Sequence, residues 1–200
     1  MTATLIPTQA VLRDETGRAL PNRADRWFRT VELPDVRALD EVRGPALDIG
    51  CGPGRHVLAL AERGIPALGI DITERALIHA RARGVPVLAR CVFDPIPGDG
   101  RWRSALLLDG NLGIGGDPVQ LLQRVRQLLA PGGEVLVELD APGQAVERQR
   151  VRFEIDDDAG PWFDWASVDI DGIPEVAGAS DLWIRRSWTD DGRWFAWLSR

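Results

Sequence analysis

The sequence predicts a doubly wound α/β fold with a mostly parallel sheet, and three observations support this prediction. Short apolar runs alternate with amphipathic segments between residues 46 and 140, which is the order expected of βαβ units. Three closely spaced glycines, Gly50, Gly52 and Gly54, follow the first apolar run, where a strand would turn into a helix. Near the end of the sequence, Asp191-Gly192 is a strong signal for a β-hairpin.

The composition indicates one acidic domain. Its 200 residues are 44% hydrophobic and carry a net charge of −6, which argues against a nucleic-acid partner because phosphate binding needs a basic surface. The chain has no Lys and therefore no Schiff-base residue. The two cysteines, Cys51 and Cys91, indicate no disulfide framework and predict a cytoplasmic protein, and no spacing suggests a zinc site. We find neither a signal peptide in residues 1–9 nor an apolar run of membrane length.

The first 33 residues are polar and interrupted by proline and glycine, so we predict a loose arm or a short helix that is ordered by docking. Within this arm, Trp27 and Phe28 either pin the segment to the domain or form a lid over a cleft. A helix is predicted over 34–42, because Pro34 suits a first helical turn and Gly44 follows the last.

The glycine segment is the most informative part of the sequence. The apolar run of residues 45–49 forms the first predicted strand, and a helix follows over 54–64. A dinucleotide-binding turn would have its third glycine where this chain has Arg55. A phosphate-binding loop that ends in Gly-Lys-Ser/Thr is excluded because the chain has no Lys.

The segments that follow continue the alternation. Strands are predicted over 67–70, 85–89, 104–108 and 134–139, and helices over 74–83 and 117–130. Asp71 closes the second strand, about 20 residues past the turn, where a carboxylate can accept from ribose hydroxyls. Asp71 could also cap the next helix, although Thr73 and Glu74 already offer helix starts.

After Asp140 the pattern changes to strand periodicity. We predict an inserted β-hairpin over 147–168, with its turn at 157–161, then a short helix over 171–178 and a terminal hairpin over 181–200. The tryptophans of the terminal hairpin are expected to pack against the sheet. Trp162 and Trp165, on the inserted hairpin, either pack there or face an acceptor pocket.

The order Asp48-x-Gly50-x-Gly52-x-Gly54 resembles the first motif of the class I S-adenosylmethionine-dependent methyltransferases. Asp71, the strand end at Asp109 and the run of residues 128–133 extend the resemblance over about residues 46–140. It implies a seven-stranded Rossmann-like sheet with an antiparallel last strand. It also implies one domain over 1–200: an arm or lid (1–33), a cofactor-binding core (34–140), a cap (147–168) and a terminal hairpin (181–200).

The resemblance also implies the residues of a cofactor site for S-adenosylmethionine. The three glycines would let the backbone meet the cofactor, Asp48 would help to hold its ammonium group, and Asp71 would accept from its ribose. The remaining contacts would come from Ile72, Val92, Phe93, Asp109 and Asn111. The family often has an Asp after the third strand, to accept from the adenine amino group. This chain has Cys91 there, a poor acceptor, so Asp94 replaces the contact or the contact is lost.

The resemblance indicates a methyltransferase for a small-molecule acceptor, with O-, N- and S-methylation all open. His56, in the first turn after the glycines, is the candidate general base, or else it bonds to the helix backbone. An acceptor that is already deprotonated needs no base. One competing hypothesis is a module that binds the cofactor without turnover, and another is a nicotinamide oxidoreductase, which Arg55 disfavours. The sequence does not indicate the oligomeric state.

Overall fold

The computed structural model describes residues 10–20, 24–27, 29–155 and 158–200. In chain order the elements are β1 (Ala10–Asp14), α1 (Ala24–Trp27), α2 (Leu33–Ala38), β2 (Ala46–Ile49), α3 (Arg55–Glu62), β3 (Ala67–Asp71), α4 (Glu74–Ala82), β4 (Val87–Ala89), β5 (Trp102–Leu107), α5 (Pro118–Leu128), β6 (Leu129–Leu139), β7 (Val146–Ile155), β8 (Asp158–Ala159), β9 (Phe163–Val168), α6 (Ile173–Ala179), β10 (Trp183–Asp190) and β11 (Arg193–Ser199). Short 3-10 turns lie at Leu39–Glu41 and Asn111–Gly113.

The larger sheet has seven strands in the order β10-β11-β6-β5-β2-β3-β4. The five strands from β6 to β4 are parallel, and β11 lies antiparallel between β6 and β10. This arrangement confirms the predicted fold class. The hairpin signal is also confirmed, because Asp191 and Gly192 both have positive φ, as a tight two-residue hairpin turn requires.

Helices cover both faces of this sheet, and the alternation of side chains along the strands decides which face each residue joins. On one face, Leu107 and Val137 pack in a cluster with Leu121 and Val125 of α5. Residues of the opposite parity pack on the other face with side chains from the α2 and α3 regions, and these residues include Leu106, Leu136, Leu39 and Leu60. Burial on both faces explains why the parallel strands read as unbroken apolar runs.

The sixth strand begins earlier than predicted. We expected Pro131-Gly132-Gly133 to separate helix from strand, but β6 starts at Leu129 and includes these residues. Leu129 pairs with Trp102 of β5, and the register shifts before Ser104 pairs with Glu134. The irregularity lets the chain pass directly from α5 into the sheet. Among the described residues, no helix is long and apolar enough to cross a membrane.

The smaller sheet contains the hairpin that was predicted as a cap, and it corrects the prediction of a loose arm. β7 and β9 pair antiparallel, as expected for the inserted hairpin. Residues 10–14 of the arm form β1, which pairs antiparallel with the other edge of β7. The sequence pattern did not indicate this strand, because its partner strand lies about 140 residues away in the chain. An ion pair between Arg13 and Glu154 (2.7 Å) links the two strands.

The arm also contacts the cap through Trp27, whose ring packs edge-on against Phe153 with centroids 5.3 Å apart. This contact fits the prediction that Trp27 pins the arm. Residues 1–9, Phe28 and Asp157, to which other predictions for the arm and the cap turn refer, lie outside the described residues.

Candidate functional site

The glycine turn has two packed positions and one open position. Gly50, Gly52 and Gly54 have φ values of +71°, +50° and +78°, in the left-handed region that glycine adopts without strain. A Cβ on Gly50 would lie 2.7 Å from Nδ2 of Asn111, and one on Gly54 would lie 2.8 Å from Val85. A Cβ on Gly52 would meet nothing within 4 Å. The backbone at Gly52 is therefore open to a ligand.

Asp71 faces the open side of this turn. Its Oδ2 accepts a hydrogen bond from the Gly52 N–H (2.8 Å), and its Oδ1 accepts one from the Thr73 N–H (2.7 Å). These two bonds fix the carboxylate at the end of β3. Because each carboxylate oxygen can accept more than one hydrogen bond, the half-buried group keeps capacity for two further donors.

Two large apolar side chains lie at the carboxyl ends of the neighbouring strands. Ile72 is 76% exposed and Phe93 is 39% exposed, so both present apolar surface beside this end of the sheet. Val92, which was expected to frame the adenine, is instead buried in the core, and its carbonyl accepts from Arg124. Asp94 is exposed, so its carboxylate is accessible, as the alternative to Cys91 requires.

The loop after β5 is tied to the glycine turn. The side-chain amide of Asn111 donates to the carbonyl oxygens of Ile49 and Gly50, both at 2.9 Å. Asn111 was predicted to lie beside the cofactor, and these bonds give its amide nitrogen a role in holding the turn. Asp109, two residues earlier, has a φ of +55°, and its N–H donates to Glu138 (2.8 Å).

A buried ionic cluster adjoins these groups, and most of its members were not predicted from the sequence. Arg55 donates to the carboxylates of Asp35 (2.6 Å) and Asp109 (2.9 and 3.0 Å). Arg193 pairs with Glu138 (2.9 Å) and with Asp35 (2.8 Å). We define the cluster by its members, which are Asp35, Asp48, Arg55, His56, Asp109, Glu138 and Arg193.

Asp35 is the centre of this cluster, and its side chain is fully buried. Burial acts to raise the pKa of its carboxyl, but His56, Arg55 and Arg193 together hold that pKa far below its ordinary value. Its remaining lone-pair capacity is used by the N–H of Glu32, at 2.8 Å. A helix from the N-terminal region is thus tied to the helix that follows the glycine turn.

His56 lies between two carboxylates rather than against the helix backbone. Its Nε2 is 3.7 Å from Asp35 Oδ1, and its Nδ1 is 3.7 Å from Asp48 Oδ2. Burial and the neighbouring Arg55 charge act to lower the pKa of His56, but the two carboxylates outweigh them and raise it to about 9. At neutral pH the imidazole therefore holds both protons. This geometry argues against the prediction of His56 as a general base.

The protonation of His56 predicts how stability depends on pH. Because the pKa is raised from 6.5 to about 9, the folded state holds this proton more tightly than the unfolded state does. The contribution is full below pH 6.5 and is lost as the pH rises through 9. We expect the free energy of unfolding to fall by roughly 2–3 kcal/mol over this range. Urea unfolding at a series of pH values measures it.

Two histidine variants separate this effect from other titrations. His56→Gln should flatten the decline between pH 6.5 and 9, whereas His79→Gln, at the other histidine of the chain, should retain it. A wild-type stability that is constant over this range would contradict the assigned charge on His56.

The cap places its two predicted acceptor-side tryptophans on opposite faces. Trp165 belongs to an aromatic row with Trp27, Phe153 and Phe163, whose neighbouring ring centroids are 5.3–6.0 Å apart. This row reaches the loop after β5, where a Cβ on Gly113 would lie 2.7 Å from the Trp165 ring.

Trp162 lies instead under the guanidinium of Arg152, 4.9 Å from its ring centroid. Alternation along β7 sends Arg152 and Phe153 to opposite faces, so Trp162 lies away from the aromatic row.

Within the described ranges, no group of three or more His, Cys, Asp and Glu side chains is arranged to hold a metal ion. Burial and the nearby charges of Asp48 and Asp71 raise the pKa of the Cys51 thiol far above its ordinary value, so this cysteine stays protonated. The site therefore consists of a glycine turn, a fixed carboxylate, an apolar rim and an ionic cluster.

Comparison with known proteins identifies similar chains. Residues 46–133 match a family model described as a methyltransferase domain. A trans-aconitate 2-methyltransferase of Methylobacterium radiotolerans is 34% identical over 140 residues, which are 66% of this chain and 49% of that protein. A Mus musculus lysine N-methyltransferase named for the ATP synthase is 44% identical over 48 residues, which are 24% of this chain and 19% of that protein. The chain thus spans at most about half of these curated relatives.

Solved structures match over more of the chain. An S-adenosylmethionine-dependent methyltransferase from Bacteroides fragilis, in complex with S-adenosyl-L-homocysteine, has a TM-score of 0.79 at 22% identity. The match covers 96% of this chain and 88% of that one. An amino pentose methyltransferase from Micromonospora echinaspora, with bound S-adenosylmethionine, has a TM-score of 0.58 at 19% identity, with 84% and 88% covered. At these identities the likeness establishes the fold.

Proposed function

We propose that this chain is a class I S-adenosylmethionine-dependent methyltransferase and that it transfers the methyl group of S-adenosylmethionine to a small-molecule acceptor; the methyltransferase-domain match and the shared fold support this. One observation carries the proposal: the open backbone at Gly52 lies beside a carboxylate that is already fixed at Asp71. The cradle and the acceptor for a ribose diol are thus in place together.

The remaining groups fit the other parts of the cofactor. Ile72 and Phe93 offer exposed apolar surfaces for a planar base. Asp48 is buried, and its Oδ2 lies 3.7 Å from Nδ1 of His56 but makes no hydrogen bond with any described residue, so it keeps hydrogen-bonding capacity for an ammonium group. The cofactor supplies an electrophilic methyl group when it binds. This chain's residues hold and orient the cofactor and exclude water around it.

The acceptor brings its own nucleophilic lone pair in this proposal. His56 lies 3.7 Å from each of two carboxylates, which raise its pKa to about 9, and this disfavours His56 as a proton acceptor at neutral pH. A carboxylate, a thiolate or an unprotonated amine needs no such base. The trans-aconitate 2-methyltransferases among the relatives are named for a carboxylate compound, which makes trans-aconitate the first acceptor to test.

We place the acceptor against the aromatic row of the cap. Trp165 contacts Gly113, and Ile114, which pairs with Trp165, has its Cδ1 only 3.0 Å from where a Cβ of Gly50 would lie. The row therefore begins next to the glycine turn and offers an apolar wall along which an acceptor can align. Trp162 lies outside this wall.

The proposal is tested with a pair of glycine variants. Gly52 and Gly64 both have positive φ and open space for a Cβ, so replacement by alanine imposes similar backbone strain at each. Gly52→Ala should weaken S-adenosylmethionine binding in calorimetry at least tenfold, because the Cβ enters the cradle. Gly64→Ala, after α3, should leave the affinity unchanged.

Turnover is measured by incubating the wild-type protein with S-adenosylmethionine and a panel of small carboxylic acids, thiols and amines, with trans-aconitate first. Mass spectrometry should detect an acceptor that gains one methyl group. Binding without any methylated product would favour the module without turnover. Failure of the wild-type protein to bind the cofactor would overturn the proposed function.

A further inference from the structure

We propose that Arg55 is a positioning residue, which holds the Asp109 carboxylate at the cofactor cleft while Asp35 fixes Arg55 for that task. The inference rests on the proposed function. It assigns a role to Arg55 and Asp35, neither of which is assigned a cofactor contact. Its basis is the geometry of the two residues that contact Asp109, which are Glu138 at the backbone N–H and Arg55 at the carboxylate.

Asp109 has a backbone conformation that few non-glycine residues adopt. Its φ of +55° lies in the left-handed region, which aspartate populates more readily than most other non-glycine residues. Its N–H donates to Glu138, and its side chain receives hydrogen bonds from Arg55. The backbone and the carboxylate of Asp109 are therefore fixed by different partners.

Arg55 is well suited to this task because its guanidinium reaches two carboxylates at once. One edge contacts Asp35 at 2.6 Å, and Nη2 contacts both oxygens of Asp109, at 2.9 and 3.0 Å. Its side chain is 2% exposed, so water does not compete for these contacts. A planar fork of donors gives this arrangement, whereas a lysine ammonium does not.

The position of Arg55 at the start of a helix is unfavourable for a cation unless carboxylates lie nearby. It is the first residue of α3, where the helix dipole disfavours a positive charge. Burial likewise acts to lower its pKa, yet the nearby Asp109 and Asp35 charges raise the pKa above its ordinary value. A cation in such a place is stable only with both carboxylates present.

Loss of the contacts that hold Asp109 would also affect the glycine turn. Asn111 follows two residues later and donates to the carbonyls of Ile49 and Gly50. If the backbone at Asp109 moved, Asn111 would move with it and its hydrogen bonds to the glycine turn would change. Arg55 thus orients one carboxylate and also supports the cradle indirectly.

A double-mutant cycle tests the inference, with S-adenosylhomocysteine as the probe in calorimetry. Arg55→Lys and Asp109→Asn should each weaken binding by about tenfold. The first variant loses the guanidinium that holds the Asp109 carboxylate, and the second loses the carboxylate itself. The double variant should bind no more weakly than either single variant, because Arg55 acts through Asp109. Thermal melting identifies the folded proteins, and Arg55→Gln replaces Arg55→Lys if the latter does not fold.

Arg63→Lys is the matched control. Arg63 lies at the other end of α3 and contacts the α2 carbonyl of Val36 (3.1 Å), so it reports on loosened packing between these helices away from Asp109. Its affinity for the probe should equal that of the wild-type protein. Folded Arg55 variants with wild-type affinity, or losses that multiply in the double variant, would overturn the inference. Absence of binding to the wild-type protein would instead refute the proposed function.

Discussion

Replacement of Asp71 by alanine is expected to weaken S-adenosylmethionine binding by about 10²- to 10³-fold. The carboxylate would accept from two ribose hydroxyls, and a hydrogen bond to a charged group contributes roughly 1.5–3 kcal/mol. The same substitution removes the acceptors of the Gly52 and Thr73 N–H groups, which loosens the turn that we propose binds the cofactor. Calorimetry on the purified variant measures the loss.

Two further variants test whether the loss of affinity is specific to the Asp71 carboxylate. Asp71→Asn keeps one acceptor oxygen and should fall between the wild type and the alanine variant. Asp99→Ala removes a carboxylate that is 49% exposed and has no assigned cofactor contact, and it should have a much smaller effect. An Asp71→Ala protein that folds and binds the cofactor as the wild type does would refute the assignment of Asp71 to the ribose.

Replacement of Asp35 by alanine is expected to lower the free energy of unfolding by about 3–5 kcal/mol. The variant would leave Arg55, His56 and Arg193 buried with one carboxylate fewer, and an unpaired buried charge is costly. It would also remove the acceptor of the Glu32 N–H at the start of α2. Urea unfolding at pH 7 measures the change.

Asp40→Ala is the control for this substitution. Asp40 belongs to the same segment, but its side chain is 64% exposed and pairs with Arg63 at 3.4 Å. Such surface pairs contribute little, so a change below about 1 kcal/mol is expected. Equal losses for Asp35→Ala and Asp40→Ala would show that Asp35 does not hold the cluster together.

Local signals in the sequence were sufficient to predict the core of the fold. The glycine turn, the apolar runs on each side and the acid at Asp71 lie within 26 residues of one another, and each constrains its neighbours directly. The Asp191-Gly192 turn likewise encodes its hairpin through two residues with positive φ. These features follow from backbone geometry and periodicity, which depend on short stretches of chain.

The missed features depend on contacts between distant residues. β1 has no strong strand pattern and is formed because β7 offers it an edge. The ionic cluster forms only after four separate elements are assembled, because Arg55 pairs with Asp35 and Arg193 joins Asp35 to Glu138. One signal was present: a cation at the first turn of a helix, as at Arg55, is unfavourable alone and indicates carboxylates elsewhere in the chain.

The position of β11 inside the larger sheet has a consequence for biosynthesis. A ribosome delivers β6 and β10 before β11, yet β11 must lie between them. The nascent protein therefore carries an unsatisfied β6 edge until Arg193–Ser199 has emerged. The sheet is therefore completed only after β11 has followed β10, and we expect chains that stall before Arg193 to associate through that edge.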